Sequence, residues 1–62
     1  MKTATIEVCH VFGTKNTVYA CVKYKGKILF KRMENESPHN MLTIAKTWAI
    51  NNGFTHVQVN YS

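Results

Sequence analysis

Ser37-Pro38-His39-Asn40-Met41-Leu42-Thr43-Ile44-Ala45-Lys46-Thr47-Trp48-Ala49-Ile50-Asn51-Asn52-Gly53-Phe54, followed by Thr55-His56-Val57-Gln58-Val59-Asn60-Tyr61-Ser62, is the stretch that decides the fold. Ser37 is an N-cap, because its hydroxyl can accept from a free amide of the first helical turn. Pro38 follows at the first helical position, where its missing N–H does no harm. Gly53 supplies a left-handed stop, and Phe54 behind it can fold back onto the last turn. At about 100° per residue, Met41, Leu42, Ile44, Ala45, Trp48 and Ala49 share one broad stripe, and Ile50 falls on the polar side. Thr55 to Tyr61 then alternates, with Val57, Val59 and Tyr61 inward. The segment reads as a capped amphipathic helix, a glycine stop and a strand.

Upstream lie three more strands. Thr3 to Phe12 places Ile6, Val8, His10 and Phe12 on one side and Thr5, Glu7, Cys9 and Val11 on the other. Gly13-Thr14-Lys15-Asn16 is a polar turn. Thr17 to Tyr24 presents Val18, Ala20, Val22 and Tyr24 on one face. Lys25-Gly26 is a two-residue connection, which predicts a tight hairpin with glycine at positive φ. Lys27 to Met33 alternates Ile28, Phe30 and Arg32 against Leu29, Lys31 and Met33, and the polar run Glu34-Asn35-Glu36 leads into the helix. The order β-β-β-α-β predicts an α+β fold, one helix packed on a four-stranded mixed sheet. An antiparallel meander forms first, and a right-handed helical crossover brings the last strand parallel to the first, giving sheet order 3-2-1-4.

Residues 1–62 make one small domain, and so short a chain buries only about 60% of the surface its unfolded form exposes. Association of two copies would add buried surface, so a homodimer is among the expected assemblies. The formal net charge is +5, from eight Lys/Arg against three Asp/Glu. Such a domain is drawn to polyanions, whether nucleic acid or an acidic protein surface, although the same charge also serves plain solubility. No apolar run follows the N-terminus, and two cysteines, Cys9 and Cys21, are too few for a disulfide scaffold. The expectation is a cytoplasmic protein with reduced thiols and no membrane span.

This strand and helix order is how the ribonuclease H fold begins, and the residues add to the likeness. Tyr19-Ala20-Cys21-Val22-Lys23-Tyr24-Lys25-Gly26-Lys27 is similar to that family's second strand and basic hairpin. Thr47-Trp48-Ala49-Ile50-Asn51-Asn52-Gly53-Phe54 with Val57-Gln58-Val59 resembles its first helix and fourth strand. The resemblance covers nearly the whole chain but only the first half of a family domain. The family's chemistry needs carboxylates that hold two divalent metals over a phosphate. Carried over, those positions fall near Cys9 or His10, near Leu42 or Thr43, and among Asn60, Tyr61 and Ser62. None is acidic, and the only acids in the chain are Glu7, Glu34 and Glu36. The resemblance therefore implies a catalytically silent version, with no enzymatic activity and no cofactor.

Cys9, His10, Cys21 and His56 match no zinc-finger or ribbon spacing. The two cysteines are expected nearly opposite each other across the first hairpin, as small apolar residues of a sheet face. A cysteine nucleophile with His10 or His56 as base lacks an orienting acid. His39 reads as solvated and Trp48 as core.

The sheet face away from the helix holds the candidate site. It is expected to carry Tyr19, Lys23, Lys27, Leu29, Lys31 and Met33, alongside Thr5, Glu7, Cys9, Val11, Cys21, His56, Gln58 and Asn60. Three readings compete: a solvated antiparallel face; nucleic-acid binding, with Lys23, Lys27 and Lys31 on phosphates and Tyr19 stacking on a base; and a protein interface burying Val11, Tyr19, Cys21, Leu29 and Met33. A single aromatic is a poor stacking platform, which favours the protein partner. The leading expectation is a non-catalytic modulator or inhibitor, of phage type by its size, docking on a host protein that handles nucleic acid. The alternative is a direct nucleic-acid-binding protein.

Overall fold

A computed structural model describes residues 2–61. Its elements are β1 (Thr3–His10), β2 (Thr17–Tyr24), β3 (Lys27–Asn35), α1 (Pro38–Asn51) and β4 (His56–Tyr61). They form one four-stranded sheet in the order β3-β2-β1-β4. β1 pairs antiparallel with β2 and parallel with β4, and β2 pairs antiparallel with β3. The expected α+β topology is the observed one.

The caps of α1 are those its residues dictate. The Asn40 amide donates to Ser37 Oγ at 3.2 Å. At the other end Gly53 has φ 89°. The Phe54 amide reaches the Ala49 carbonyl and the Gly53 amide that of Ile50, the paired bonds that close a helix on a left-handed glycine. Phe54 is thereby turned down onto the core.

That core lies between α1 and the β1–β2 half of the sheet. Ala4, Ile6, Val8, Val18, Ala20, Val22, Met41, Ala45, Ala49 and Phe54 are buried, with Tyr24, Phe30, Leu42, Ile44, Trp48 and Val57 packed around them. Register sets these side chains in rows, of which Phe30–Val22–Ile6–Val59 is the central one. Phe30 stacks on Trp48 with ring centroids 5.2 Å apart. Ile50 is exposed, as its helical phase requires.

Four expectations need correction. Tyr61, expected inward, is 60% exposed at the end of β4, although it pairs with the buried Val8. β1 stops at His10, and Phe12 is fully exposed rather than inward. Val11 already belongs to the turn: its carbonyl accepts from Thr14 and Gly13 stands at φ 84°. β3 runs on past Met33, because Glu34 pairs with Val18 and Asn35 with Thr17. Most consequentially, β3 holds a bulge. Phe30 pairs with Val22, but the next pair is Ile28 with Lys23, so Leu29 has no partner. Ile28 is thereby transferred to the open face and Lys27, opposite Tyr24, to the helix face.

The β2–β3 hairpin turns at Lys25 (φ 51°) and Gly26 (φ 79°). Positive φ at both positions is the geometry that matches strand twist, and it favours Asn or Gly first. A lysine held there costs about 1–2 kcal/mol relative to a residue that tolerates the left-handed region. Its side chain lies over the Tyr24 ring at 5.4 Å, which offsets about 0.5–1 kcal/mol. Lys25→Asn is therefore expected to raise stability by about 0.5–1 kcal/mol net, read from urea denaturation; a loss would contradict the strain.

The two sheet edges differ. β3 carries Lys27, Lys31, Arg32 and Glu34, charges that oppose strand addition. β4 carries no Lys, Arg, Asp or Glu, and among the described residues no strand pairs with its outer side. No helix among the described residues is long and apolar enough to cross a membrane.

Candidate interaction face

Side chains alternate along a strand, so the residues of β1, β2 and β3 that do not meet α1 line up on the other face. Register arranges them in three rows. Gln58, Thr5, Lys23 and Ile28 form the first, Asn60, Glu7, Cys21 and Lys31 the second, and Cys9, Tyr19 and Met33 the third. Tyr19, Lys23, Lys31 and Met33 thus share the face as expected. Lys27 does not, and Leu29 sits at the unpaired bulge beside them. Ile28 is the residue that the sequence reading missed.

The charges on this face are unequal. Lys23 Nζ lies 3.2 Å from Glu7 Oε2. Its hydrogen bond to that carboxylate, and the carboxylate's charge, hold the Lys23 pKa above its ordinary value. Among the described residues Lys31 makes no ion pair. It stands between two apolar corners, Met33 with Tyr19 on one side and Ile28 with Leu29 on the other. Met33 is 57% exposed and Ile28 50%. Tyr19, Lys31, Arg32 and Met33 line a shallow groove of about 300 Å³.

No helix covers Cys21, yet it is only 1% exposed, screened by its neighbours on the face. Partial burial raises the Tyr19 phenol above its usual pKa, and the Cys21 thiol pushes the same way. Cys9 and Cys21 are free thiols. They are not directly opposite, since Cys9 pairs with Tyr19 and Cys21 with Glu7, so they stand on a diagonal.

The positions where ribonuclease H chemistry would need carboxylates can also be placed. Parallel pairing sets Val8 beside Tyr61 and Glu7 beside Asn60, so Cys9 and His10 lie toward the same end of the sheet as Asn60 and Tyr61. Ser62 falls outside the described residues. Thr43 is exposed and Leu42 packs against the core. Glu34 is bound to Arg32. Glu36 accepts from the Ser37 amide and Asn40 Nδ2, and these bonds lower its pKa. Among the described residues no three His, Cys, Asp or Glu side chains converge as a metal site would require.

A second hollow, of about 410 Å³, lies between the β1–β2 turn and the start of α1, lined by His10, Asn16, Asn35, Glu36, Ser37 and Pro38. It is shaped by the helix cap, and its one carboxylate is already engaged there. Compared with known protein families, characterised proteins and solved structures, the chain matches none.

Proposed function

We propose that this chain is a non-catalytic interaction protein that docks on another protein through the β2–β3 half of its open sheet face. The observation that carries the reading is a lysine of the open face, Lys31, which makes no ion pair among the described residues and is set between exposed apolar residues at Met33 and Ile28. That pattern fits a partner surface with a carboxylate ringed by apolar side chains. The apolar corners supply area to bury, and Lys31 supplies register and attraction.

The nucleic-acid reading of this same face is the weaker one. It called for a row of three lysines, but Lys27 faces the other way and Lys23 is already neutralised by Glu7. The finer reading, a modulator or inhibitor of a host protein that handles nucleic acid, rests on small size, basic charge and the likeness to a nuclease fold without its carboxylates.

Capture from host lysate with and without nuclease, followed by titration of the captured protein, tests this. Met33→Asp and Leu29→Asp place a carboxylate against the docked surface. Each is expected to weaken binding about 30-fold or more, as loss of an interface anchor does, and to leave the thermal melt unchanged. Equal binding by the variants, or capture that disappears with nuclease, would sink the reading.

A further inference from the structure

Most of the positive charge left unpaired by the open face collects elsewhere, at the β2–β3 hairpin end of the helix face. Two lysines from separate segments, Lys2 and Lys25, lie there over one aromatic pair, and a third, Lys27, stands beside it on the neighbouring strand. Tyr24 and Phe54 meet edge to face at 5.1 Å. Lys2 Nζ lies 4.6 Å from the Phe54 ring centre and 5.3 Å from that of Tyr24. Lys25 Nζ lies 5.4 Å from the Tyr24 ring, and Lys27 is the register partner of Tyr24.

Each lysine is brought there by a feature of the backbone. Lys2 is pinned by Thr55: its N–H donates to Thr55 Oγ1 at 3.2 Å, and its carbonyl accepts from the Thr55 amide at 3.0 Å. Lys27 faces this way because of the bulge at Leu29. Lys25 occupies a left-handed position where a shorter polar residue would fold better, a local conflict of the kind retained where a side chain serves function. Among the described residues no carboxylate side chain offsets the three: Glu7 binds Lys23, Glu34 binds Arg32, and Glu36 accepts from the Ser37 amide and Asn40 Nδ2 at the helix start.

We infer that this hairpin end is a binding site for the phosphate backbone of a nucleic acid. Three lysines present compact charges suited to phosphate oxygens, and no arginine at this end offers the fork that reads a base edge. The Tyr24 ring is already occupied by Phe54 and two ammonium groups, so bases find no stacking platform. Binding is therefore independent of sequence and steep in salt. With about three phosphate contacts to a single strand, affinity falls roughly 20-fold between about 50 and 200 mM salt.

Fluorescence anisotropy with a labelled single-stranded oligonucleotide of about 20 nucleotides tests the site. Three proteins are compared: the unaltered chain, the triple variant Lys2→Gln/Lys25→Gln/Lys27→Gln, and the open-face variant Lys23→Gln/Lys31→Gln. The triple variant is expected to lose most of the binding and nearly all of the salt dependence, while the open-face variant keeps both. An uncharged-backbone oligonucleotide of the same sequence is expected not to bind. Lys25→Asn, which strengthens the turn, separates folding from binding: a more stable protein that binds several-fold more weakly supports the site. Failure of the unaltered chain to bind at low salt, equal loss in the open-face variant, or binding of the uncharged oligonucleotide would each overturn it.

Discussion

Ile6→Ala is expected to leave a large fraction of the chain unfolded at room temperature. Ile6 is fully buried on β1, in the row Phe30–Val22–Ile6–Val59 and beneath α1. Both neighbouring strands are hydrogen-bonded to β1, so the sheet cannot close over a lost side chain. Truncating such a residue costs about 2–5 kcal/mol through lost transfer energy and the cavity left behind. A single core of this size rarely supplies more than about 3–5 kcal/mol in total. The two quantities overlap, which turns one substitution into loss of the fold. Far-UV circular dichroism against urea reads the result, with Ile6→Val as a milder companion costing about 0.5–1.5 kcal/mol. An Ile6→Ala midpoint close to that of the unaltered chain would mean that the core is not centred on this row.

Ala45→Leu makes the opposite change and is expected to be nearly as damaging. Ala45 and Ala49 on the helix, and Ala4 and Ala20 on the strands, are all at most 1% exposed. Small residues on both surfaces let α1 come close to the sheet. A leucine at position 45 adds apolar bulk where no space exists, so α1 must lift. Lifting opens gaps beside Met41 and Ala49 and parts the Phe30–Trp48 stack. Overpacking of this kind costs about 1–3 kcal/mol, most of what a chain this small has. The expected record is a lower, broader thermal transition together with a weakened near-ultraviolet signal from Trp48. An unchanged or raised transition temperature would show that the helix tolerates displacement.

The helix and β4 were legible because their signals are local. Ser37, Pro38, Gly53 and Phe54 each act within a few residues of the bond they control, and the structure uses all four as read. The sheet order followed from the same logic, since a right-handed crossover leaves one free place beside β1. Phe12 misled because it continues the phase of Ile6 and Val8, whereas the turn at Gly13 had already drawn Val11 out of the strand. The bulge at Leu29 could not be read. Lys27 to Met33 alternates without interruption, and a bulge is a property of two strands in register. The candidate face was therefore right where β2 fixes it, at Tyr19 and Lys23, and where β3 has regained register, at Lys31 and Met33. It was wrong where the frame slips, which moved Lys27 away and brought Ile28 in. Edge position hid the end of β3 as well: Glu34 and Asn35 are polar, but an edge strand tolerates polar residues on both faces.

The uncharged outer side of β4 makes ionic strength a colloidal variable for this protein. Copies in dilute buffer are kept apart by a net charge of +5 acting over distances longer than a hydrogen bond. At about 1 M salt that repulsion reaches only about 3 Å, while the free amides and carbonyls of His56–Tyr61 are as able to pair as before. Concentrated stocks are thus better kept in low salt, and a high-salt purification step invites edge-to-edge growth and turbidity where it would clear many other basic proteins.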